Sequence, residues 1–144
     1  TTRDDASSET SNARYVALIT SGKMKMERGA YADAKRDFAS AKEIKVTEEV
    51  IRLSLACDDR IEEDNVRARK ALYEQGMPFG SYTIVRKKQN GRYGAIDAQG
   101  IERIRCIYLS VGRSENGRAF EREDHLYDIY NANGTMVARG LTTY

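Results

Sequence analysis

The sequence predicts an α+β chain, with N-terminal helical hairpins followed by an antiparallel β meander. Two observations carry this. Apolar residues recur at steps of three and four as far as Tyr73, the pattern of amphipathic helix, and from Ser81 onward the pattern changes to alternation, as in half-buried strands. Pro78, the only proline, stands at the change and disfavours helix at Met77 before it. The expected divisions are a flexible polar leader over 1–12, a helical region over 13–76 and a β region over 77–144.

The first expected helix has Tyr15, Leu18, Ile19, Gly22 and Met26 on one face, and Gly29 ends it because glycine readily takes the left-handed conformation. Tyr31, Ala34, Phe38, Ala41 and Ile44 repeat the spacing in a second helix. Gly22, Ala34 and Ala41 are small enough for the two backbones to approach while Phe38 fills the gap beside them. Thr47-Glu48-Glu49-Val50 starts a third, since the hydroxyl can cap and the carboxylates suit the positive end of the dipole. Val50, Ile51, Leu53, Leu55 and Ala56 are its apolar content. Asp58-Asp59-Arg60 is read as a turn, and Ile61–Gln75 as a fourth helix that buries Val66, Ala68, Leu72 and Tyr73 and ends at Gly76.

In the β region, Ser81–Arg86 is the first expected strand, and Asn90-Gly91 marks a type I′ hairpin turn. Arg92–Asp97 follows, then a turn at Ala98-Gln99-Gly100. Ile101–Val111 should place Ile104, Cys106 and Tyr108 on one side and Arg103 and Arg105 on the other. After a turn at Ser114–Gly117, short strands are expected near 119–122, 125–130 and 135–138. That makes five to six strands, an ordinary sheet size. Tyr93–Gly100 aligns with Tyr127–Gly134, so the meander carries an internal repeat.

Composition narrows the function classes. Lys and Arg number 24 against 22 Asp and Glu, a formal charge of +2, which provides no general field for nucleic acid or membrane. Arg103, Arg105, Arg113, Arg118 and Arg122 decorate the sheet near aromatics, as in single-strand binders, but Glu102, Glu115, Glu121, Glu123 and Asp124 interleave with them. No nucleic-acid partner is expected. No apolar run reaches the ~20 residues of a membrane helix, so no transmembrane segment is expected. The polar opening Thr1–Thr10 is read as a frayed leader, such as an exported protein keeps after its signal is removed. Envelope or periplasm is therefore weighed ahead of cytoplasm. Cys57 and Cys106, the only cysteines, are expected as buried free thiols. With the single His125 they make no metal-ligand set, no glycine-rich phosphate loop is present, and no metal, cofactor or catalytic group is expected. A Cys106–His125 hydrolase lacks any pattern that would bring its parts together.

Sliding the first helical pair by 34 residues matches Gly22 to Ala56, Ala34 to Ala68 and Phe38 to Leu72. Residues 15–75 resemble tetratricopeptide repeats, with Gly22, Gly29, Tyr31, Ala34, Phe38, Ala41 and Ile44 at motif positions. Leu18, Ser21, Lys25 and Val46 depart from the usual Trp, Leu, Tyr and Pro. Gly91-Arg92-Tyr93-Gly94-Ala95-Ile96-Asp97-Ala98-Gln99-Gly100 is similar to the WG-repeat (KWG-type) β modules of bacterial proteins, with Tyr93 for Trp, and residues 80–140 resemble such a module. The helical resemblance implies a peptide groove lined by Lys23, Met26 and Glu27, with Cys57 and Arg60 in the second repeat. The expected function is a non-enzymatic module that binds a protein or peptide in a bacterial protein. The alternative is a small-molecule or glycan site on the β aromatics Tyr93, Tyr108 and Tyr127. Oligomeric state stays open.

Overall fold

A computed structural model describes the backbone of residues 2–144 and the side chains from residue 9 onward. The leader expected over 1–12 lies mostly outside the side chains described. The chain divides into two compact units, residues 1–65 and 66–144. The fold is α+β, as expected: the described residues form three helices followed by two four-stranded antiparallel sheets.

Helix α1 (Thr2–Glu27) turns back at Gly29 into α2 (Tyr31–Ile44). Gly29 adopts φ +79°, and the amides of Ala30 and Gly29 bond the carbonyls of Lys25 and Met26 at 2.9 and 3.0 Å, which closes the end of α1 as a Schellman motif. The expected interlock is present: Phe38, Ala34 and Ala41 are fully buried, and a Cβ on Gly22 would overlap the Phe38 ring. Tyr15 and Ile19 are buried with them, and Leu18, Met26, Tyr31 and Ile44 pack at the margin.

Helix α3 (Glu48–Lys70) is one continuous helix, not two. Its start is as read: Thr47 Oγ1 accepts the Val50 amide at 3.1 Å and meets Tyr15 Oη at 2.6 Å. The turn expected at Asp58-Asp59-Arg60 is helical. Polar side chains alone do not interrupt a helix without Gly or Pro, and Asp58 is held by Lys35 of α2 at 2.5 Å. Among the described residues no fourth helix follows, and the positions expected to be buried on it are not all covered. Ala68 and Leu72 are exposed, Leu72 at 54 %, whereas Phe38 at the matching position has no exposure.

The β part begins earlier than expected, with β1 (Tyr73–Phe79), followed by β2 (Tyr82–Lys87), β3 (Tyr93–Ile96) and β4 (Glu102–Tyr108) in the first sheet. Gly76 and Pro78 are tolerated because β1 is an edge strand with a register shift between Glu74 and Met77. The second sheet contains β5 (Ser110–Ser114), β6 (Gly117–Glu121), β7 (Tyr127–Tyr130) and β8 (Met136–Leu141). The expected strand Ile101–Val111 is therefore two strands: the chain changes sheets at Leu109, whose amide bonds Glu121 of β6 at 2.7 Å.

The internal repeat is far more complete than the sequence alignment. Each sheet closes its third and fourth strands with the same turn. Asp97 Oδ1 accepts the amides of Gln99 and Ile101 at 2.9 and 3.0 Å, and Asn131 Oδ1 accepts those of Asn133 and Thr135 at 3.0 Å each. Gly100 and Gly134 take φ +78° and +76°. The preceding turns also correspond. Asn90 Oδ1 accepts the Arg92 amide and Asp124 Oδ1 that of Leu126, with Gly91 and His125 between them at φ +68° and +65°. Asn90 itself is not at positive φ, so the turn is not the type I′ pair expected. One face of the first sheet (Ile84, Ala95, Ile104) forms a core with Phe120 and Tyr130 of the second.

Candidate functional site

Strand pairing in both sheets is interrupted at the same place, and the interruption builds the main cleft. Register shifts flank Ala95 opposite β4, which leaves the Cys106 peptide outside the ladder. Glu102 Oε1 accepts its amide at 2.8 Å and Asn90 Nδ2 donates to its carbonyl at 3.1 Å. The bulge also turns Cys106 out of the row of Ile104 and Tyr108 that the sequence predicted. It packs instead with Val85, Ile96 and Tyr73. In the second sheet the matching residue is Gly140, at φ +63°, and its amide donates to Asp128 Oδ1 at 3.0 Å.

Asp128 stands where the first copy has Gly94. It is the only polar or charged residue among the buried ones described, at 5 % exposure. Tyr108 Oη donates to Asp128 Oδ2 at 2.9 Å, Tyr130 Oη lies 2.7 Å from Tyr108 Oη, and Arg122 Nη1 stands 3.7 Å from Asp128 Oδ1. Burial, then the neighbouring Tyr130 and Asp128, push the Tyr108 hydroxyl well above the ordinary tyrosine range, and burial raises Tyr130 as well. Both are therefore neutral hydrogen-bonding groups at physiological pH. The cleft above them has a volume of about 820 Å³, with Arg92, Arg122 and Arg139 facing Glu123, Asp124 and Asp128. Arg92 meets Glu123 at 2.9 Å and Arg122 meets Asp124 at 2.8 Å, so its walls are polar with balanced charge.

Of the three tyrosines expected to share a β face, only Tyr108 lines this cleft. Tyr93, its cross-strand partner, donates to Gln75 Oε1 at 2.9 Å and borders a different hollow with Met77 and Val111. Tyr127 packs edge-on against Tyr144, with ring centroids 4.7 Å apart. The three do not form one aromatic platform, because the bulge and the change of sheet distribute them.

The helical candidates are dispersed too. Lys23 pairs with Glu49 at 2.7 Å, and Arg60 lies over the Tyr31 ring at 5.2 Å and near Glu63. Met26 is partly buried against the helical core and Glu27 is exposed at the end of α1. Cys57 has no exposure and cannot line a groove; burial, reinforced by Asp58, raises its thiol pKa.

Cys106 and His125 point to separate partners. Burial, followed by the hydrogen bond and charge of Glu102, pushes the Cys106 thiol up to about 12, opposite to an activated nucleophile. His125 Nδ1 meets Glu121 Oε2 at 2.9 Å on the open surface. No cluster of potential metal ligands occurs among the described residues, and no described helix is long and apolar enough to cross a membrane.

Asp128, Asn90, Tyr130 and Arg139 were missed as site residues. The alignment of Tyr93–Gly100 with Tyr127–Gly134 already sets Asp128 opposite Gly94, a carboxylate in a glycine's place, and that was the signal to follow. Comparisons of the chain with protein-family models, with curated proteins and with solved structures find no match.

Proposed function

We propose that the chain is a non-enzymatic interaction module, with a helical part of tetratricopeptide type and a β part of WG-repeat type, that binds a protein or peptide. The observation that carries it is β8. This edge strand leaves Met136, Val137 and Leu141 exposed at 41, 51 and 38 %. Open edges with apolar side chains invite added strands and are normally blunted by charge or covered, so a partner is the physical expectation. The helical groove is the weaker location for it, since Lys23 and Arg60 are already engaged within the helices.

The test compares partners recovered from extract by the parent, by Val137→Glu/Leu141→Glu and by Lys23→Glu/Arg60→Glu, with folding of each checked by circular dichroism. Loss of a partner in the first variant alone assigns binding to the β unit. Loss in the second alone assigns it to the helices. Equal recovery by all three overturns the reading.

A second reading is a small polar molecule or glycan in the cleft. It is supported by paired tyrosine hydroxyls beside balanced arginines and carboxylates, a lining suited to a ligand with many hydroxyl groups. Titrating a sugar panel while following amide shifts tests it. Shifts at Tyr108, Asp128 and Arg139 that vanish in Arg139→Ala support the site, and their absence across the panel removes it.

A further inference from the structure

We propose that the cleft takes a hydroxylated carboxylate of the sugar-acid class, with Arg139 holding the carboxylate and Tyr130 Oη accepting a hydrogen bond from a neighbouring hydroxyl. The proposal rests on the second reading above and names the chemical class of the ligand.

Irregular pairing of β8 brings Arg139 to the cleft. Side chains alternate along a regular strand, so residues three apart face opposite ways. Met136 and Arg139 are three apart, yet both line the cleft. Between them, the consecutive residues Val137 and Ala138 line another hollow together. Register shifts on both sides of the Ile129–Ala138 pair produce this pattern, and a bulge of this kind re-aims the side chains beside it. Asp128 holds the second shift in place, since its Oδ1 accepts the Gly140 amide at 3.0 Å and Gly140 takes φ +63°.

Arg139 arrives in the cleft with no carboxylate to meet. Glu123 is engaged by Arg92 and Asp124 by Arg122, while Asp128 is occupied by the Gly140 amide, the Tyr108 hydroxyl and Arg122. Among the described residues Arg139 forms no ion pair, and it is the one cleft arginine of which this is true. Its planar fork suits two-point binding of a carboxylate.

The polarity of the neighbouring hydroxyls is also fixed. A phenol carries one proton. Tyr108 gives its proton to Asp128, so the 2.7 Å contact between the two hydroxyls uses the proton of Tyr130. Tyr130 Oη is left with lone pairs alone, and a ligand must donate to it. Burial raises the Tyr130 hydroxyl pKa, and the charge of Arg139 is among the influences that oppose the rise, so the cation stands within electrostatic reach of that oxygen. A cation and an acceptor within reach of each other select a carboxylate and a hydroxyl on one molecule. A neutral sugar satisfies only the acceptor and a simple carboxylate only the cation. The volume of about 820 Å³ suits a small-molecule ligand.

The test titrates galacturonate, galactose and acetate into the full chain while amide shifts are followed at Tyr130, Arg139 and Gly140. Galacturonate should bind at least about tenfold more tightly than either of the others, the scale of one hydrogen bond to a charged group. Arg139→Ala should abolish the preference over galactose and Arg139→Lys should keep part of it, with folding of each checked by circular dichroism. Tyr130→Phe should weaken galacturonate and leave acetate unchanged. Tetragalacturonate separates the two sources of such a ligand: tighter binding than galacturonate assigns the site to uronic residues of a polysaccharide, and weaker binding to a free sugar acid. Galactose binding as tightly as galacturonate overturns this inference and leaves the second reading standing. An acid preference that survives Arg139→Ala overturns it as well. No shift with any of the probes overturns both.

Discussion

Asp97 and Asn131 occupy the same turn in the two repeats, and the difference between them has a pH consequence. Burial opposes ionisation of Asp97, but the Ile101 amide, Arg103 and the Gln99 amide outweigh it and hold its carboxyl below the usual range. A carboxylate depressed in the folded state contributes stability that is complete above its unfolded value, about 3.9, and lost as pH falls through the folded value. Asp97→Asn should keep the turn, as Asn131 does, and flatten the acid limb of a stability-against-pH curve below about pH 4. An unaltered acid limb would mean that the turn does not report on unfolding. Gly91 and His125 form a second natural pair. A non-glycine residue at positive φ costs about 1 kcal/mol, so His125→Gly should raise stability by up to that amount and Gly91→Ala should lower it, read by urea titration.

At the scale of elements, the α1–α2 hairpin was legible because its signals are local and chemically unambiguous: glycine at the turn, small residues at the crossing and an aromatic between them. Phe38→Ala should cost about 3–5 kcal/mol, and Gly22→Val about 1–3 kcal/mol through overlap with the Phe38 ring, both measured by chemical denaturation. The single helix α3 was not legible. Asp58-Asp59-Arg60 looks like a turn only if its side chains have no partners, and the Lys35 contact that holds Asp58 comes from another helix. The bulge in β4 was hidden for a similar reason, since it depends on Glu102 and Asn90 reaching the Cys106 peptide. With its thiol near 12, Cys106 should label with iodoacetamide at pH 7.5 far more slowly than a model thiol, and at the ordinary rate once urea unfolds the chain.

In the β unit as a whole, stability is tied to the contact between its sheets. Phe120, with no exposure, stands 5.2 and 5.1 Å from the Tyr108 and Tyr130 ring centroids. Phe120→Ala should cost about 3–5 kcal/mol, and because both sheets share this core, amides in β2 and β3 should lose protection together with those in β6 and β7. Loss confined to the second sheet would show that the first folds without it. The candidate sites are properties of this stacking. Sequence alone determined the α+β class, the helical hairpin, the cap at Thr47 and the repeated Asx-x-x-Gly turn, because periodicity and turn chemistry act over a few residues. Tertiary structure decided that α3 runs unbroken, that the meander divides into two sheets, and that Tyr93, Tyr108 and Tyr127 separate while Asp128 joins Tyr108 and Tyr130. Those outcomes depend on which distant groups satisfy a buried peptide or cover an apolar face, and a linear pattern does not contain that information.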